Sequence, residues 1–141
     1  MIRCKMVSYS FLIYLLVFTS LSCANKEQQA QKHYKRGFKF HNQGSLDQAV
    51  DEYQKALKLN PNFVEVHMNL GAIYVDRKDY DKATQQFKKV VELNHYNTKA
   101  HYNLGMVYVY TGDKEKAKEE LKILKSFGSG LADNLEIKIA E

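Results

Sequence analysis

His67-Met68-Asn69-Leu70-Gly71-Ala72-Ile73-Tyr74-Val75 returns 34 residues later as His101-Tyr102-Asn103-Leu104-Gly105-Met106-Val107-Tyr108-Val109. The two stretches share His, Asn, Leu, Gly, Tyr and Val in register, and His33, Gly37 and Phe40 stand a further 34 residues back. The same offset aligns Ala49, Ala83 and Ala117, then Tyr53, Phe87 and Leu121, then Ala56, Val90 and Leu124. A fixed period of this length means one supersecondary unit repeated, each copy burying its apolar face against the next.

The residue types make the spacing intelligible. Gly37, Gly71 and Gly105 lie inside helical patterns, where glycine costs about 1 kcal/mol against alanine. They are expected to admit a neighbouring helix closely, with Ala49, Ala83 and Ala117 doing the same from the second helix. Phe40, Tyr74 and Tyr108 fill the space beside those small residues. Gly44 and Gly112 suit left-handed helix ends, and Ser45, Asp79 and Asp113 suit N-caps. The pattern predicts helices over 27–42, 46–58, 62–76, 80–93, 96–110 and 114–126. After the break Phe127-Gly128-Ser129-Gly130, residues 131–141 read as a short capping helix, with Leu131, Leu135 and Ile139 four apart.

In this register the chain resembles the tetratricopeptide-repeat (TPR) family over repeats 30–63, 64–97 and 98–131. The first repeat carries the family pattern through Gly37, Phe40, Ala49, Tyr53, Ala56 and Pro61. The second has Val90 for a small residue and His95 for the usual Pro, and the third drifts further, as a terminal repeat does. The resemblance implies an all-α fold of three helix–turn–helix repeats stacked as a right-handed superhelix, plus the C-terminal cap. It also implies a non-enzymatic protein-binding surface.

Composition agrees. One Pro, no Trp and long Ala/Leu/Lys/Glu/Gln-rich stretches favour helix over strand. The net charge of +5 falls to +3 without Arg3 and Lys5, too weak and too evenly spread over the chain for a nucleic-acid reader. Both cysteines, Cys4 and Cys23, are N-terminal, so the repeats hold no thiol for a disulfide, a metal or nucleophilic catalysis.

That N-terminus has a signal-peptide layout: Arg3 and Lys5, then the apolar run 11–18. The run is short for a comfortable bilayer span. It ends in Thr19-Ser20-Leu21-Ser22-Cys23, which resembles the lipobox of bacterial lipoproteins, although the family's usual Leu two residues before the small one is Ser20 here. The expected layout is a signal peptide over 1–22, Cys23 as a lipidated mature N-terminus, and a polar linker over 23–29. An ordinary cleaved signal and an uncleaved anchor are the alternatives.

His33, His67 and His101 look like a ligand set, but equivalent positions on stacked repeats stand about 8–10 Å apart, too far for metal bonds of about 2 Å to converge. No metal, cofactor or small-molecule substrate is expected, and no catalytic set can be assembled. The family lines its inner surface with first helices. Carried over by position, these contacts are Tyr34, Lys35, Phe38 and His41 in the first repeat, and Met68, Asn69 and Ala72 in the second. The third repeat supplies Lys99, Tyr102, Asn103, Met106 and Tyr110. Aromatic and methionine side chains with a few amides suit an extended peptide or a helix laid in a groove. One TPR subclass clamps chaperone terminal carboxylates. Asn69 and Lys99 match that clamp, whereas Tyr34, Phe38 and Asn103 replace its other positions. The expectation is an exported, lipid-anchored adaptor of the cell envelope that helps assemble a membrane or secretion complex. The alternative is a soluble periplasmic or secreted chaperone-like carrier.

Overall fold

The computed structural model describes residues 24–141; the expected signal peptide and Cys23 lie outside them. The described residues form seven helices and no strand. They are α1 (24–42), α2 (Leu46–Leu59), α3 (Val64–Asp76), α4 (Tyr80–Leu93), α5 (Thr98–Tyr110), α6 (Lys114–Ser126) and α7 (Leu131–Ala140). The chain divides into two compact units, one ending at Pro61 and one spanning Asn62–Glu141. The first holds α1 and α2, a single helical hairpin. The second holds two more hairpins and α7, which packs on both α5 and α6.

Helix boundaries fall close to the periodic pattern, with two kinds of difference. The polar stretch expected as a linker is already helical at Ala24, the first described residue and three before the expected start of α1. Lys, Glu and Gln are good helix formers, and the Asn60 amide nitrogen donates to Glu27, tying that turn to the end of α2. Conversely α3 and α5 each begin two residues late, because Phe63 and Asn97 serve as N-caps.

Each hairpin turns in the same way. The amides of Ser45, Asp79 and Asp113 donate to the carbonyls of Phe40, Tyr74 and Tyr108, each at 2.9 Å, closing the last turn of the first helix. This geometry needs a left-handed residue just before the donor. Gly44 and Gly112 supply it at φ 74° and 76°, but the middle turn uses Lys78 at φ 59°. Asp79 and Asp113 then cap the next helix by accepting from the amides of Lys82 and Lys116. Ser45 has nearly the same backbone conformation but makes no side-chain cap bond, contrary to the sequence expectation. At ψ near 70° the hydroxyl lacks the extra bond that lets an Asp carboxylate reach that amide.

The buried core follows the small-against-large rule, but the side chains nearest the glycines are not the expected Phe40, Tyr74 and Tyr108: those come from the same helix as the glycine, and the space is filled from a facing one. A Cβ at Gly37 would overlap the Tyr53 ring, one at Gly71 the Phe87 ring, and one at Gly105 the side chain of Leu135. Tyr53, Phe87 and Leu135 are at most 1% exposed, and Ala49, Ala83 and Ala117 are fully buried. In the third repeat the partner of the glycine is thus not Leu121, the residue in register, but a leucine of the cap. Leu121 lies with Leu124, Ala132 and Leu135 in the cluster that joins α6 to α7.

A left-handed lysine costs about 1–2 kcal/mol that glycine avoids, partly offset by glycine's freer unfolded chain. Lys78→Gly should therefore raise the urea midpoint by an amount worth about 0.5–1 kcal/mol. Gly112→Ala should lower it, and equal signs for the two would contradict the turn geometry.

Candidate functional site

The three histidines in register are not a joint site. Each sits between the two helices of its own hairpin and donates from Nδ1 to the residue 19 positions on. His33 donates to Glu52 Oε2 at 2.8 Å, His67 to Gln86 Oε1 at 2.8 Å and His101 to Glu120 Oε2 at 2.6 Å. The sequence reading set them apart from one another but missed the partners. The signal was present as Glu52, Gln86 and Glu120 at the same 34-residue offset. In the last repeat the second nitrogen, Nε2, lies 3.0 Å from the His95 carbonyl, linking the α4–α5 connection to the core of the hairpin. The ring of Phe127 lies edge-on to both His95 and His101.

Glu52 is only 3% exposed and carries the densest set of partners: His33, Lys55 at 3.0 Å and the Arg36 guanidinium at 3.4 Å. Burial pushes its carboxyl up, but the bonds from His33 and Lys55 and the charge of Arg36 together hold it below the usual glutamate range.

The expected groove residues lie in both units. In the first, Tyr34 is half-buried, its ring 6.2 Å from those of both Phe38 and Tyr53. Phe38 is 46% exposed and Lys35 is exposed. In the second unit, Ala72, Tyr102, Asn103, Met106 and Tyr110 converge on a cavity of about 260 Å³, completed by Val75, Asp76 and Phe87. Met68, Asn69 and Lys99 stand outside its lining. The position-by-position reading missed Val75 and Asp76, because the family pattern assigns them no role, and Phe87 was expected only as core. Tyr110, 52% exposed, stacks on Tyr80 with ring centroids 5.7 Å apart. Tyr102 and Met106 also pack against the α6–α7 cluster, so the cap supports one wall of the cavity. Its single charged side chain is an acid, Asp76.

The family description "TPR repeat" fits residues 37–76 and 71–112, and "Tetratricopeptide repeat" fits residues 99–126. The chain belongs to the tetratricopeptide-repeat family. Among relatives of this TPR chain, the Hsp70-Hsp90 organising protein of Plasmodium falciparum is 36% identical over 51 residues, covering 36% of this chain and 9% of the relative. Photosystem I assembly protein Ycf3 of Prochlorococcus marinus is 36% identical over 59 residues, covering 40% of this chain and 34% of the relative. The TPR chain thus matches about a third or less of either relative's length. Among solved structures, the first TPR of Spaghetti (RPAP3) bound to the HSP90 peptide SRMEEVD has a TM-score of 0.73 at 26% identity. That likeness covers 81% of this chain and 92% of that one.

Because the folded Glu52 carboxyl takes up a proton less readily than the unfolded one, its contribution to stability is present above the unfolded value of about 4.3 and lost as the pH falls through the lower folded value. Glu52→Gln should be accommodated sterically, as Gln86 is in the next repeat. The variant should be less stable at neutral pH, and its deficit should shrink as the pH falls below the glutamate range. Urea titrations at a series of pH values check this; a deficit independent of pH overturns the pairing argument.

Proposed function

We propose that this TPR chain is a non-enzymatic adaptor, held at a membrane of the cell envelope through a lipid on Cys23, that grips an apolar peptide or helix of its partner. The observation that carries the binding reading is the cavity of Ala72, Tyr102, Asn103, Met106 and Tyr110. It offers adaptable apolar surface together with one side-chain amide that can bond a peptide backbone. The support for the anchor is sequence alone: the apolar run and the cysteine that ends it.

The RPAP3 structure holds the acidic peptide SRMEEVD. The cavity here carries Asp76 and no cation, the wrong sign for a carboxylate-rich tail. Tyr34, Phe38 and Asn103 likewise stand where the carboxylate-clamp subclass has other side chains. The ligand proposed is therefore a segment with apolar side chains.

Two experiments test this. A fluorescent SRMEEVD peptide should show no saturable binding, whereas a photo-crosslinker at Tyr110 in native membranes should capture a discrete partner that is lost on Asn103→Ala combined with Ala72→Arg. Capture that is unchanged in the double variant puts the binding face elsewhere. For the anchor, fatty-acid labelling and membrane retention should both disappear in Cys23→Ala. An unlabelled, fully soluble parent chain would instead make the protein a soluble exported carrier.

A further inference from the structure

The charge of this chain, evenly spread when taken as a single total, is concentrated once it is assigned to helices. Residues 24–42 hold five cations, Lys26, Lys32, Lys35, Arg36 and Lys39, against the single acid Glu27. Residues 43–141 hold 14 cations against 15 acids. The described residues therefore owe their entire net positive charge to α1. Lys32, Lys35, Arg36 and Lys39 follow the i, i+3, i+4, i+7 spacing of one helix face, and all four are exposed. Ala30 and Gly37, which are buried, lie on the opposite side. Arg36 reaches Glu52, but among the described residues Lys32, Lys35 and Lys39 have no carboxylate partner.

The repeat register shows what this face replaces. The positions of Lys32, Arg36 and Lys39 are held in α3 by Val66, Leu70 and Ile73, and in α5 by Ala100, Leu104 and Val107. All six of those residues are at most 2% exposed. The first repeat thus carries an open, charged face at positions where the other two carry a buried apolar one. Solubility alone requires only polarity, and mixed charge or amides would serve. A face of one sign on a chain that is otherwise balanced calls for an anionic partner.

From this charge and from its position we infer that the α1 face lies on the anionic lipid surface to which the chain is anchored. The inference rests on the membrane anchor proposed above. Lys32 stands nine residues after Cys23 and Lys39 sixteen, so along a helix they are about 14 and 24 Å from the attachment point. A helix standing upright would hold Lys39 well beyond the Debye length of about 8 Å. A helix lying along the bilayer brings all three lysines within it, and each is then worth roughly a fivefold gain in binding. An anionic bilayer fits better than nucleic acid because the apolar run 11–18 ends only six residues before the described helix begins.

The test is flotation of the mature chain, extracted with its anchor from native membranes, with vesicles of phosphatidylcholine alone and of phosphatidylcholine with one-third phosphatidylglycerol. Binding to the neutral vesicles reports the anchor. The increment on the anionic vesicles reports the lysine face. The parent chain should show a salt-sensitive increment, and Lys32→Gln/Lys35→Gln/Lys39→Gln should lose roughly fivefold of it per lysine without changing neutral binding. Lys88→Gln/Lys118→Gln/Lys122→Gln, which removes the same charge from exposed sites on α4 and α6, should keep the increment. Failure of neutral binding sinks the anchor while leaving the increment to be read. An absent increment, or equal loss in both triple variants, overturns the lysine-face inference. So does retention of the parent by a single-stranded oligonucleotide without any preference for anionic vesicles.

Discussion

A glycine without a side chain and a large residue pressed into the space it leaves hold each of the first two hairpins of this chain together and bind the third to its cap. Gly37 receives Tyr53, Gly71 receives Phe87 and Gly105 receives Leu135, in each case at a separation no other residue at the glycine position would permit. The energetic logic runs against local preference. Each glycine weakens its own helix by about 1 kcal/mol, and the burial of a whole aromatic or leucine side chain, worth about 1.5–3 kcal/mol, outweighs that loss. Once the first and second helices are brought this close, the buried alanines, the polar pairs and the identical turns have little freedom to be elsewhere.

The histidine pairs show how a buried polar contact can be repeated without being rigidly copied. An imidazole N–H finds a carboxylate in the first and third hairpins and an amide in the second, with nearly the same geometry. What the fold demands at that place is an acceptor of a given length, not a charge. The charges that accompany the acceptor differ accordingly: Glu52 gathers Arg36 and Lys55 besides its histidine, whereas Gln86, being neutral, is bonded by His67.

Much of this architecture is legible in the amino-acid pattern. The 34-residue offset locates six of the helices to within a few residues, and the four-residue spacing of Leu131, Leu135 and Ile139 locates the seventh. Periodicity reports what every repeat shares, so it misleads wherever one copy departs from the rest. It offers Leu121 as the counterpart of Tyr53 and Phe87, but cannot show that Leu135, from outside the period, takes that place. It passes over Lys78, whose unusual backbone is visible only beside Gly44 and Gly112. The cavity is half legible: Ala72, Tyr102, Asn103, Met106 and Tyr110 follow from family positions, whereas Val75 and Asp76 join them because α3, α4 and α5 line one space. Nothing in a pattern of helix faces encodes that arrangement.

The replacement of Leu121 by Leu135 also bears on the order in which the chain assembles. The first two glycine contacts close loops of 16 residues, Gly37 to Tyr53 and Gly71 to Phe87, while Gly105 must wait for a residue 30 positions away. Doubling a loop costs only about 0.6 kcal/mol of closure entropy. The larger consequence is sequential: the first two hairpins can complete their cores as soon as their own second helices exist, but the third remains unfinished until α7 has been made. A chain emerging from its N-terminus therefore consolidates hairpin by hairpin in the direction of its synthesis, and α7 is the segment that completes the third.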